Sequence, residues 1–255
     1  MSAAGLILRK ELHEIRRSPV LLASMISLPT TTVVVPVALV AYLAHAAPAA
    51  SVAFIQQIYG VAAGAPIEVL VRAAATNWLP VFLVMPVFLP ILLAAQSIGG
   101  ERERRTLEPL LATPVSTTAI VVGKSVGAVI PALAITWVSA GVFVGALDAL
   151  AGRALLPDAP WAFAVLVLAP LLALFGNAVA VAVSARVTDP RAAQNLAAMT
   201  VVPLLGLVVA QIAGKVHLGL RFYLALAVGL AVADVVLVAV AARLFDRERL
   251  LTRWR

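Results

Sequence analysis

One carboxylate stands where a carboxylate is expensive. Asp234 lies in an apolar run from Phe222 to Ala242, near the middle of what would be a membrane-length helix at ~1.5 Å per residue. An ionisable side chain at that depth costs on the order of 2.5–3.5 kcal/mol on insertion scales and by default marks an ion or cargo path. The competing reading is a group that is neutral, or bonded to a neighbouring helix, and only fixes packing. Asn177 and Gln211 are further polar positions inside apolar runs, where amides more often hold helices together than carry cargo. The tripeptide Gly123-Lys124-Ser125 matches the end of a phosphate loop, G-x-x-x-x-G-K-[ST], but the position of the first glycine is occupied by Thr118. Such a loop must also follow a strand and face water, whereas this one opens an apolar run. Lys124 is therefore expected to snorkel to headgroups at the start of a helix. With no cysteine and only His13, His45 and His217 scattered along the chain, thiol chemistry, disulfides and a histidine metal site drop out. No catalytic residue, metal or cofactor is expected in this chain.

The elements that must position these residues follow from composition. Residues of the AVILMFWYC set make up 63% of the 255 positions and charged residues 12%, against about 45–50% and about 25% in a typical soluble chain. Six apolar runs are long enough to span a bilayer: Val20–Ala44, Trp78–Ile98, Ser125–Leu147, Trp161–Ser184, Leu196–Ile212 and Phe222–Ala242. What remains between them is too short for a separate catalytic domain. The first run exceeds the ~7–15 residues of a signal-peptide core and reads as a retained span. With six spans both termini share a side, and fifteen of the nineteen lysines and arginines fall on it. The positive-inside rule makes that side the cytoplasm. The charge of +7 is then a topology signal, and nucleic acid is not an expected partner. Eight prolines fall in the spans, three of them (Pro80, Pro86, Pro90) in the second, and kinked helices of this kind suit a path that opens by tilting. Gly123 with Gly127, and Gly141 with Gly145, are small-xxx-small pairs that let helices approach.

Two charged segments border the spans. At 100° per residue Leu8, Leu12 and Ile15 share one face of an N-terminal helix, with Lys10, His13, Glu14 and Arg17 on the other. An interfacial helix over residues 1–18, lying on the membrane lipids, is expected, and the basic C-terminal DRERLLTRWR is similar in kind. Gly99 to Lys124, GGERERRTLEPLLATPVSTTAIVVGK, joins spans two and three on the cytoplasmic side. Two glycines end the span, Glu101 and Arg105 form an i,i+4 pair, and Leu107, Leu110 and Leu111 make a small apolar face. Pro109 and Pro114 predict a short helix and a turn. Such a helix suits a groove on a cytoplasmic partner, although a helix lying on headgroups has the same periodicity. In the outer loop of residues 45–77, AFIQQIYGVAAG and PIEVLVRAAA, with Glu68 and Arg72 at i,i+4, predict short helices on the outer leaflet.

The string GERERRTLEPLLATPVS, followed five residues later by VGK, resembles the cytoplasmic segment of ABC-2 type permeases, and RKELHEIRRSP is similar to the start of the same family. The resemblance implies an all-α membrane protein: one permease domain of six transmembrane helices, with an interfacial N-terminal helix and a cytoplasmic coupling helix over residues 99–118. It implies a second permease copy or paralogue, and a separate ABC ATP-binding subunit that holds ATP and Mg and contacts Glu101, Arg102, Glu103, Arg105, Leu107, Glu108, Leu110 and Leu111. It also implies a multi-pass protein of the prokaryotic plasma (inner) membrane that is no enzyme by itself. Relatives resembling sodium-efflux permeases carry a large insertion after the first span; here only residues 45–77 fill that place, so that cargo does not carry over. Residue chemistry alone leaves a second class open, an ion-coupled secondary transporter or channel that uses Asp234.

Overall fold

The computed structural model describes residues 3–45, 59–62, 65–103, 117–184, 186–187, 189–216 and 218–244. The expected docking residues Arg105, Leu107, Glu108, Leu110 and Leu111, the C-terminal DRERLLTRWR and most of the loop after the first span lie outside them. Among the described residues every regular element is helical. In hydrocarbon the backbone has no water to bond, so even runs of valine close their hydrogen bonds within the segment.

The chain forms α1 (Ala3–Arg17), α2 (Pro19–His45), α3 (Ile67–Phe82), α4 (Val84–Glu103), α5 (Thr117–Ala151), α6 (Ala159–Phe163), a π turn (Ala164–Leu168), α7 (Ala169–Ser184), α8 (Pro190–Ala198), a 3-10 turn (Met199–Val201), α9 (Val202–Ile212) and α10 (Leu220–Leu244). Six runs are long and apolar enough to cross a membrane: Leu21–Leu43, Ile67–Ser97, Ile120–Ala151, Ala159–Ser184, Arg191–Ile212 and Leu220–Ala239. These are the six read from the sequence, with the boundaries moved most at the starts of the second, third and fifth. The second span starts at Ile67, so PIEVLVRAAA forms the beginning of that span and no separate surface helix; Glu68 pairs with Arg153 beyond the third span, 3.6 Å away. The fifth span gains the turns of α8. The second span ends at Ser97, just before Gly99 and Gly100, but the helix α4 continues through both to Glu103; two glycines weaken a helix without forcing it to stop.

The second span is the axis of the bundle. In its most apolar stretch 83% of residues are buried, against 17% in the fifth span and 22% in the sixth. Its α4 half packs most extensively on α7, and Gly176 makes that approach possible. A Cβ at Gly176 would run into the Val87 carbonyl, so α7 meets the backbone of α4 with no side chain between. In lipid, where apolar burial does not drive helices together, such close packing is the main attraction. Phe82, Phe143 and Trp161 join spans two, three and four, with ring centroids 5.0–5.2 Å apart. By contrast, a Cβ at Gly141 or Gly145 would touch nothing within 4 Å, whereas one at Gly127 would meet Glu11, so within the third span's small-residue pattern a close approach is seen at Gly127 among the described residues.

Prolines explain the irregular turns. Pro86, Pro170 and Pro203 each sit in the first turn of a helix that follows a break, at Leu83, at the π turn and at the 3-10 turn. There the missing N–H is least costly. In the π turn Ala169 donates to Ala164, and Pro170 has no N–H to offer, so the Val165 carbonyl is left over. The indole of Trp137 on the third span donates to it at 3.0 Å.

Candidate functional site

The bundle end that carries α1 holds a buried polar knot. α1 packs along the start of α5; Leu8 and Ile15 turn half inward, while Arg9, Lys10, His13, Arg16 and Arg17 stay exposed. Between those two apolar residues the helix also buries Glu11, 6% exposed, against Lys124, 5% exposed. The Lys124 Nζ donates to Glu11 Oε1 at 3.0 Å, to Ser97 Oγ at 2.8 Å and to the Ser97 carbonyl at 3.3 Å. One ammonium thus ties α1, α4 and α5 together. Gly127 permits it, because a Cβ there would lie 2.9 Å from the Glu11 Cβ.

This geometry corrects one expectation. Lys124 does not snorkel: the groups that satisfy it lie inside the bundle, and a charge with three acceptors at hand has no need of headgroups. Within the stripe of α1, Leu8 and Ile15 are half-buried against the bundle, while Leu12, like Leu6, is exposed. Sequence reading misses Glu11 and Ser97. A signal for Glu11 is present, since at 100° per residue it falls on the same face as Leu8 and Ile15, an odd place for a lone acid.

The segment between spans two and three is bracketed by this knot. Glu101, Arg102 and Glu103 form the last turn of α4, and α5 begins at Thr117, so both arms of the segment emerge at the end where α1 lies.

The three intramembrane candidates do not converge into one described site. Gln211 serves the backbone of the second span. Pro80 has no N–H for the Thr76 carbonyl, and Gln211 Nε2 donates to that oxygen at 2.8 Å. Asn177 is buried on α7, and its Oδ1 has no partner among the described residues. Asp234 is 7% exposed, the last member of the buried stripe Tyr223, Ala227, Leu230, Asp234 by which α10 packs, mainly on α7. Neither of its oxygens has a partner among the described residues. At the other end of the bundle Tyr59 accepts a bond from the Trp78 indole at 3.3 Å. Burial raises the Tyr59 phenol above its ordinary pKa, and that bond offsets part of the rise. No group of His, Cys, Asp or Glu that could hold a metal ion occurs among the described residues.

Among protein families, the model described as ABC-2 family transporter protein matches residues 6–222. No curated protein matches the chain. The matched stretch runs from α1 into the start of the sixth span, and so includes Glu11, Ser97, Lys124 and the whole segment between spans two and three.

Proposed function

The chain belongs to the ABC-2 family of transporter proteins, a multi-pass membrane protein, and from that premise we propose that it is the permease subunit of an ATP-driven exporter. In this reading the six spans form the export path. A separate ABC ATP-binding subunit, holding ATP and Mg, grips the segment 99–118 through Glu101, Arg102, Glu103, Arg105, Leu107, Glu108, Leu110 and Leu111. The chain pairs with a second copy or a paralogue, in a prokaryotic plasma membrane with both termini in the cytoplasm. It hydrolyses no ATP itself, because its one loop-like tripeptide lacks the first glycine of a phosphate loop. The observation that carries the proposal is positional: the family match spans a charged segment whose two arms leave the bundle beside α1, anchored by the buried Lys124 knot.

The test is copurification with a P-loop ATPase, followed by the double variant Glu101→Lys, Leu107→Asp. Loss of complex formation and of ATPase stimulation is expected; unchanged assembly and stimulation would remove the docking assignment. Orientation is tested in the same preparation, which has no native cysteine. Cysteines placed at Ser51 and Ala159 should react with an impermeant thiol reagent from outside, and one at Ser116 should not.

A second reading, an ion-coupled secondary transporter, is favoured by one observation, the buried carboxylate of Asp234 with no partner among the described residues. It predicts gradient-driven flux that Asp234→Asn abolishes, since an amide carries no coupling proton.

A further inference from the structure

We propose that Glu11, Lys124 and Ser97 form a mechanical joint through which movement of the segment 104–116 reaches α1 and, through α1, the first span. The inference rests on the reading of that segment as the contact for the ATP-binding subunit. Three geometric facts support it. Ser97 lies ~9 Å before the end of α4, and Lys124 lies ~10 Å after the start of α5, at ~1.5 Å per residue. The knot therefore pins both arms of the segment at one level, a short lever away from where a partner would push.

Second, the bond from Lys124 to Glu11 at 3.0 Å adds α1 to the same pin. The close approach at Gly127 leaves α1 little room to slide along α5. Third, α1 does not end freely at Arg17. Ser18 donates its N–H to the Glu14 carbonyl at 3.2 Å, and its own carbonyl accepts from Leu22 at 3.0 Å, so helical bonding continues across the bend into α2. The Ser18 hydroxyl also accepts from Leu21 at 3.3 Å. A displacement of α4 against α5 at the knot is thus handed to a stiff bent rod that ends in the first span.

A purely stabilising role is the alternative, and buried ion pairs are weak evidence for stability as such. The two differ in what a variant does to motion once the complex has assembled. Single cysteines at Thr31 on the first span and at Val142 on the third, both exposed, each carry a spin label in the complex copurified with its P-loop ATPase. Spectra are recorded before and after trapping with ATP and vanadate. In the otherwise unchanged protein both labels should respond. With Lys124→Met or Glu11→Gln, the ATPase should still copurify and the Val142 label still respond, while the Thr31 response falls at least ~5-fold. The exchange Glu11→Lys with Lys124→Glu should recover at least half of it.

A wild-type Thr31 response in Lys124→Met, with the ATPase bound, would overturn the joint. Should Lys124→Met fail to assemble, Ser97→Ala and Lys124→Arg carry the same test: a selective loss at Thr31 supports the joint, and equal change at both labels overturns it. Failure of the unaltered chain to copurify with any ATPase would instead overturn the docking reading, and the joint with it.

Discussion

Two buried charges occupy this bundle under opposite terms. At the end bearing α1, Lys124 is 5% exposed and has three acceptors within 3.3 Å. In the sixth span, Leu220–Ala239, Asp234 is 7% exposed and has no hydrogen-bond partner among the described residues. The first arrangement is closed, since each charge is desolvated beside its counter-charge and removing either strands the other. The second is open, with a costly group held in place by packing and satisfied by nothing described in its own chain. Burial alone therefore does not separate a structural charge from a functional one. The presence of a partner does, and by that criterion Lys124 is built into the fold, while Asp234 has no such tie among the described residues.

The comparison can be broken most directly at its closed end. Lys124→Met leaves the Glu11 carboxylate buried and alone, a loss of about 3–5 kcal/mol. It should appear as a large fall in the thermal unfolding temperature in detergent, and the double variant Glu11→Gln, Lys124→Met should recover much of it. Equal unfolding temperatures for the wild type and Lys124→Met would show that the pair is not closed at all.

Next in size is Gly176, where any Cβ meets the Val87 carbonyl. Gly176→Val should cost about 1–3 kcal/mol through overpacking. Gly141→Ala, with nothing within 4 Å of its Cβ, should lie within about 0.5 kcal/mol of wild type. The pair can be compared by denaturant titration of the tryptophan fluorescence. Gln211→Leu should cost on the order of 1–3 kcal/mol, because the Thr76 carbonyl then has neither the Pro80 N–H nor an amide. If Gln211→Leu is neutral in the same titration, the proline-rescue account of that residue fails.

The smallest stability effect belongs to the open end. Asp234→Asn removes a charge that nothing in the described chain stabilises, so its unfolding temperature should equal or exceed that of the wild type. A loss as large as that of Lys124→Met would mean that Asp234 has a partner and that the two regions are alike.

Much of this architecture is legible in the sequence because membrane helices are specified by length and apolarity. All six spans are recognisable from runs such as Val20–Ala44, and GERERRTLEPLLATPVS is enough to carry the family resemblance. The error at Lys124 has one physical cause, pairing between segments distant in sequence. Lys124 looks like a snorkelling lysine until Glu11 and Ser97 are brought beside it, and a helix-edge periodicity cannot report a contact across 113 residues. Gln211 reads from the sequence as an amide more suited to packing than to cargo, but the carbonyl it serves, left without a donor by Pro80, is visible only in the fold. Gly99 and Gly100 mark the end of the second apolar span, which closes at Ser97, yet the helix passes through them to Glu103. Asp234 is found because its cost is local, set by depth in one helix.

The central claim is that free energy enters through the segment between spans two and three, from a separate ATPase, and not through the midspan carboxylate. Transport in vesicles tests it, with the chain and its copurified ATPase reconstituted as wild type and as Asp234→Asn, each with and without ATP and with and without a proton or sodium gradient. The account predicts that flux requires ATP in both proteins and is indifferent to the gradient. Gradient-driven flux in vesicles that contain the wild-type chain and no ATPase, abolished by Asp234→Asn, would contradict it.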